Sequence, residues 1–257
     1  MTPSLYQFPL LTPFPSLIHF VSGRHGGVSE GELGTLNLGF RVADNPQHVT
    51  ENRRRLAASL GIAADQLVFP AQTHSARVQV VKADTSIEDL ADTDALITQI
   101  TGRCICVMSA DCTPILLYDP VKQAVGAVHA GWRGTVSKIL THTVQAMQEH
   151  FGTQPAHLLV GIGPSISPEM YEVGQEVLEA VKQAYGSTQG LITRENGVGK
   201  GFFNLWEANR QQLLELGVPV ASIEVSGICT YQQSDRFFSA RKSANRAGRF
   251  AAGIMLQ

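Results

Sequence analysis

The chain has 257 residues, 44% hydrophobic and 16% charged, with a formal net charge of −2. That length buries a substantial core without staples, the composition excludes a disordered chain, and the absence of a basic run excludes nucleic-acid binding as the main business. No stretch of 18 apolar residues exists to span a bilayer, the proline-broken start has no basic n-region of a signal peptide, and the four cysteines make no disulfide framework, so a cytoplasmic protein with no membrane partner is expected.

In chain order, LIHFVS (17–22) reads as a strand, followed by the glycine-rich loop GRHGGVSEGELGTLNLG. DNPQHVTENRRRLAASLG reads as a helix, with a polar cap, Pro46 at an early position, periodic Val49, Leu56 and Leu60, and Gly61 after its end. QLVFPAQTHSARVQVVKA reads as strand, turn, strand. DALIT, CICVMSA, PILLYD and QAVGAVHA read as short apolar strands, and Cys104 and Cys106 share one face of the second of these. TVSKILTHTVQAMQEHFG reads as one helix with Thr135 as N-cap. HLLVGIG is a strand entering the turn-rich GIGPSIS; GQEVLEAVKQAYG and NLWEANRQQLLELG are helices; SIEVSGICTY, RFFSA and RFAAGIML are strands. No stretch repeats and no linker is convincing. The expectation is one domain over residues 1–257, of mixed α+β class, with a mixed sheet flanked by helices.

Chemistry collects where the apolar runs end. His74 in QTHS, Cys112 in ADCTP and His129 in VHAGW are borderline-soft ligands at strand ends, where sites gather in open sheets. Two imidazoles and a thiolate suit zinc, whose catalytic sites hold three protein ligands. The same residues also fit a thiolate nucleophile with a histidine base, or ordinary strand-end histidines beside a small buried cysteine. Asp111 is a general base, a partner for an imidazole, or a turn cap, and a regular strand would aim it away from Cys112. Arg133 in GWRGT and Arg24 in GRHGGVS stand in glycine-rich turns suited to an anion. Asn37 is a substrate amide or a turn residue, Tyr171 a pocket wall or a packed ring, and Trp132 a stacking platform or a core cover.

The motifs GRHGGVS, LNLG, QTHSARV, DALIT, SADCTPILLYDP, HAGWRGT, GIGPSIS…YEVG and CTY…DRFFSARK follow one another from about residue 17 to the end. In this order they closely resemble the YfiH-like family, also called the laccase-domain or polyphenol oxidase family and peptidoglycan editing factor. The resemblance implies a mixed α/β sandwich similar to a deamidating toxin domain. It implies one metal, zinc with copper as the alternative load, held by His74, Cys112 and His129. It also implies purine nucleoside phosphorylase activity on small-molecule substrates, a purine nucleoside and phosphate. Adenosine deamination and methylthioadenosine phosphorolysis come with it, and phenol oxidation or amide hydrolysis on peptidoglycan precursors are the alternatives. The chain departs from the pattern at SARK, where Ala240 and Lys242 stand in place of a Tyr and an Arg, and at SPEMYEVG, where the loop often carries cysteine. Multicopper chemistry needs many histidines, typically in His-x-His pairs, and the eight histidines here include no such pair.

Overall fold

Leu116 and Leu117 are neighbours in the chain, both fully buried, and they enter different cores. A strand buried on both faces needs no polar alternation, which is why ILLY and AVGAV read as continuous oil. The structure, a computed structural model, describes residues 2–193, 199–244 and 246–257.

The strands are β1 (Leu5–Tyr6), β2 (Leu17–Ser22), β3 (Leu67–Val68), β4 (Val78–Val80), β5 (Ala95–Thr98), β6 (Cys104–Ser109) and β7 (Thr113–Asp119). They continue with β8 (Ala124–Ala130), β9 (Leu159–Ile162), β10 (Glu172–Gly174), β11 (Ile192–Thr193), β12 (Lys200–Phe203), β13 (Ile223–Val225) and β14 (Phe250–Leu256). The α-helices are α1 (Pro46–Ser59), α2 (Trp132–Val136), α3 (Ile139–Phe151), α4 (Gln175–Tyr185) and α5 (Leu205–Glu215).

Two mixed sheets pack face to face. One runs β1-β2-β14-β6-β3, the other β13-β9-β7-β8-β5-β4. Each is antiparallel at its centre; the first gains one parallel edge pair, β3 on β6, and the second two, β13 on β9 and β4 on β5. The period-2 rule sorts the side chains. Leu116, Tyr118, Val125 and Ala127 face Ile105, Val107, Phe250 and Ile254 across the space between the sheets. Their alternates Ile115, Leu117 and Val128 face α3 through Leu140, Val144 and Met147. On the opposite outer face, Cys104, Cys106 and Met255 meet Leu56 of α1. The order helix, sheet, sheet, helix matches the helix-flanked mixed sheet expected from the strands and the sandwich that the family resemblance implies. A smaller sheet, β10-β12-β11, closes a separate core with α4 and the start of α5.

Helix α1 begins as expected: Asn45 caps it, its side-chain oxygen accepting the Gln47 N–H at 2.9 Å, with Pro46 in the first turn. Cys104 and Cys106 do share a face, with sulfurs 3.8 Å apart and no disulfide. Three expectations fail. The single helix over 135–152 is two, broken where Lys138 takes the left-handed conformation (φ 59°), and Thr135 lies inside α2 rather than capping it. RFFSA forms turns: Phe237 and Phe238 are apolar because they plug the inter-sheet core. SIEVSGICTY is a strand only over Ile223–Val225. The N-terminal segment contributes Phe8, which lies against Gly161 so closely that a Cβ there would meet its ring at 2.7 Å. Among the described residues, no helix is long and apolar enough to cross a membrane.

Candidate metal centre and substrate cavity

Three segments far apart in sequence meet at one end of the six-stranded sheet. His129 is the penultimate residue of β8, paired with Pro114 of β7. Cys112 lies in the turn between β6 and β7, and His74 in the loop between β3 and β4. The ligand atoms of His74, Cys112 and His129 lie within 4.8 Å of one another. The Cys112 sulfur is 3.8 Å from Nε2 of His74. A tetrahedral zinc with ordinary bond lengths separates a thiolate and an imidazole nitrogen by about 3.6 Å. Donor types and spacing therefore fit such an ion.

The backbone is bent to achieve this. His74 and Asp111 both hold positive φ, 65° and 90°. Gln72 pins the first turn by accepting the Met108 N–H at 2.7 Å and donating to the Met108 carbonyl at 2.8 Å, as a strand neighbour would. Asp111 pins the second: its carboxylate accepts from the Thr230 hydroxyl at 2.6 Å and the Arg241 N–H at 2.7 Å. Gly131 is required for close approach, since a Cβ there would stand 2.8 Å from the Cys112 sulfur and 3.1 Å from the His74 ring. His129 directs Nδ1 at Asp94 Oδ1, 2.7 Å away, which leaves Nε2 for a ligand.

Burial opposes ionisation of the Cys112 thiol, but His129 and His74 outweigh it and bring it down to about 6. Burial also opposes a charged His129, yet the Cys112 thiolate and Asp94 push it up to about 9. Without a metal the arrangement is a thiolate–imidazolium pair. A metal cation binding both groups would displace the imidazolium proton to solvent, or the thiolate would serve as a nucleophile with the imidazole as its partner.

The cluster lies at a cavity of about 620 Å³. Four guanidinium groups line it, from Arg41, Arg53, Arg241 and Arg249, against a single carboxylate, that of Asp111. Arg53 is held between Phe40 and Phe69, 4.6 and 4.0 Å from their ring centres. Phe40 and Ile87 keep the mouth apolar and exposed. Tyr171 forms a wall, and burial pushes its phenol well above the usual range.

Of the candidate site residues singled out in the sequence, His74, Cys112, His129, Asp111 and Tyr171 line this cavity and four others do not. Arg24 is spent on the carbonyls of Gly34, Ser234 and Glu32 and borders a separate cleft. Asn37 is buried, with its oxygen accepting from Gly39 and Arg249 and its nitrogen donating to Gly39 and Asp44, so no polar atom remains for a substrate. Arg133 lies exposed over the Trp132 ring and faces Glu176 at 3.9 Å. Trp132 itself packs on the small third core. In GIGPSIS, Gly163 is there because Pro114 leaves a Cβ only 3.0 Å, and Ser165 accepts from Thr113 and Trp206. Asp111 and Cys112 share the cavity because the left-handed turn overrides strand alternation. Cys229 is buried and accepts the Ser167 N–H, and Lys242 stacks on Tyr231. Sequence reasoning missed Asp94, Arg41, Arg53, Arg241 and Arg249. The strand-end rule that found His129 would also have flagged Asp94 just before β5 and Arg249 just before β14.

A family model described as multi-copper polyphenol oxidoreductase laccase matches residues 18–257. A purine nucleoside phosphorylase of Bacteroides thetaiotaomicron is 38% identical, over 96% of this chain and 94% of its own. Adenosine deaminase RL5, from an unknown prokaryotic organism, is 38% identical over 85% of this chain and 86% of its own. The crystal structure of YlmD from Geobacillus stearothermophilus superposes with a TM-score of 0.90 at 35% identity, covering 95% of this chain and 93% of that one. On these matches, which run over nearly its whole length, the chain belongs to the multi-copper polyphenol oxidoreductase laccase family.

Proposed function

We propose that this protein is a metal-dependent purine nucleoside phosphorylase, with adenosine deamination and methylthioadenosine phosphorolysis as side activities of the same site. The observation that carries this reading is the His74–Cys112–His129 cluster at a cavity lined by four arginines and one carboxylate. Phosphorolysis needs a cradle for a dianion beside a pocket for a planar base. The guanidinium groups supply the first through charge-assisted hydrogen bonds, and the apolar mouth at Phe40 and Ile87 supplies the second. The names of the phosphorylase and deaminase relatives point the same way.

Roles follow from what each side chain has free. Arg241, Arg249 and Arg41, each with one guanidinium nitrogen on backbone carbonyls, turn their other donors to the phosphate, a part that Arg24 and Arg133, outside the cavity lining, do not play. Tyr171, kept protonated by burial, donates a hydrogen bond at any ordinary pH. Asp111 has both oxygens engaged and acts as the anchor of the Arg241 wall rather than as a base. Zinc is the metal that the donor set favours, and when bound it supplies Lewis acidity and lowers the pKa of water to about 7. Copper displaces zinc from such ligands by the Irving–Williams order, which accounts for a laccase name. A multicopper centre needs several ligand sets, and one cluster of three metal-ligating residues is found among the described residues.

The test is chromatographic. Zinc-loaded protein and Cys112→Ala are incubated with adenosine and inosine, with and without phosphate. Free base formed only by the parent, and only with phosphate, is the expected result. Inosine formed from adenosine without phosphate dependence is the deaminase arm. If neither nucleoside changes, the purine reading is wrong, and muramyl-peptide amides become the substrates to try.

A further inference from the structure

We propose that Asp94 is the positioning residue of the metal cluster: one carboxylate fixes both histidine ligands at once. The inference rests on the reading that the cluster binds metal, and on no assumption about substrate. Asp94 is fully buried immediately before β5, which pairs with the strand that carries His129. Its Oδ1 accepts from Nδ1 of His129 at 2.7 Å and from the His74 N–H at 3.1 Å. Its Oδ2 accepts from the Thr73 N–H at 3.0 Å, the Ser75 N–H at 2.7 Å and the Ser75 hydroxyl at 3.1 Å. Its main-chain oxygen accepts the His129 N–H at 2.8 Å, so residue 129 is clamped at two points.

Three consecutive N–H groups converging on one carboxylate form a nest around an anion. The nest explains how His74 keeps its left-handed backbone, since such a conformation persists only where its surroundings over-determine it. Remove the carboxylate and three backbone donors lose their acceptor, while the exposed His74 ring keeps its contacts with the Cys112 sulfur and the His129 ring. At the other ligand, the bond to Nδ1 commits Nε2 to the metal side. An asparagine cannot do both jobs, because its NH₂ group would face either the nest or the imidazole N–H, and each is a donor.

The experiment uses zinc-loaded protein and two readouts that do not involve turnover. First, zinc affinity is measured by competition with a chelating dye for the parent and Asp94→Asn, with thermal unfolding recorded for both. The expected result is a 10- to 100-fold loss of affinity, the range typical of such partners. A variant that melts earlier yet holds zinc within twofold of the parent would make Asp94 merely structural and overturn the proposal. Second, nitrogen-15 spectra of the unmodified protein with labelled histidine identify the metal-bound nitrogen. Nε2 of His129 bound and Nδ1 carrying the proton support the clamp, and the reverse assignment overturns it even if the variant does not fold. Absence of nucleoside turnover would sink the proposed activity and leave both readouts intact. Zinc uptake no better than that of Cys112→Ala would end the metal reading and this inference with it.

Discussion

The sulfur of Cys112 stands 3.8 Å from Nε2 of His74, although 38 residues separate them. A metal bridging them adds a cross-link that only the folded chain can make. Zinc at a hundred times its dissociation constant should stabilise the protein by about 2.7 kcal/mol. For a chain of this size that is a rise of roughly 5–10 °C in Tm. Chelation should remove the gain from the parent, and Cys112→Ala should never show it. Differential scanning fluorimetry with and without chelator reads both, and an equal zinc response in the variant would rule out Cys112 as a ligand.

Arg241 lines the cavity with one nitrogen tied to the Glu172 carbonyl and its guanidinium 5.3 Å from the Tyr171 ring centre. Arg241→Met should raise KM for phosphate by about 10- to 100-fold, the loss of one or two charged hydrogen bonds at about 1.5–3 kcal/mol. The nucleoside KM should move less than threefold. Arg24→Met should leave the phosphate KM unchanged, because that side chain is spent on backbone carbonyls of another cleft. Initial-rate kinetics with each substrate varied in turn separates the two variants.

His19 is buried on β2, and its Nε2 accepts the Phe8 N–H at 3.0 Å. Burial holds its pKa below the ordinary 6.5. The unfolded chain therefore binds this proton first as pH falls. Its contribution to stability is complete above pH 6.5, declines below that, and is lost once pH passes the folded value. The slope in that window is at most about 1.4 kcal/mol per pH unit. His19→Gln, which keeps an acceptor for Phe8, should flatten the pH dependence of urea midpoints below 6.5. An unchanged slope would place the titration elsewhere.

Phe8 and Gly161 fit as ring on backbone, tying the N-terminal segment to the six-stranded sheet. Phe8→Ala should cost about 3–5 kcal/mol. Gly161→Ala, whose methyl would stand 2.7 Å from the ring, should cost about 1–3 kcal/mol. Made together the two should cost less than their sum, because the ring that clashes with the methyl is gone. Strict additivity in denaturant unfolding would mean that the ring simply moves aside.

The strands were legible because they are apolar on both faces and the punctuation between them is sharp, whereas their packing as a sandwich came from the family resemblance. CICVMS, TPILLYD and AVGAVHA need no context to read as buried strands. RFFSA misled for the same reason: Phe237 and Phe238 satisfy a hydrophobic pattern while filling a core from a turn. The break at Lys138 left no trace, because a left-handed lysine carries no glycine or proline to announce it. At the site, the metal-ligating residue types stood out as foreign to strand ends. The arginines did not, since Arg41, Arg241 and Arg249 come from loops whose meeting is a property of the assembled sheets. Arg24 and Arg133 misled because a glycine-rich setting predicts a turn, and a turn by itself does not say what its arginine faces.

His74 holds a conformation that ordinary L-residues resist by about 1–2 kcal/mol, and its ring is exposed. Glycine would sit there without that strain, offset in part by about 0.5–1 kcal/mol of extra freedom in the unfolded chain. In metal-free protein the ring's contacts with Cys112 and His129 must offset that backbone strain without help from an ion. Propagated under heat alone, with zinc withheld and no demand for turnover, the chain would have only those contacts to favour this ligand. Laboratory evolution for robustness must therefore keep the ion in the growth medium, or nothing in the selection rewards metal binding.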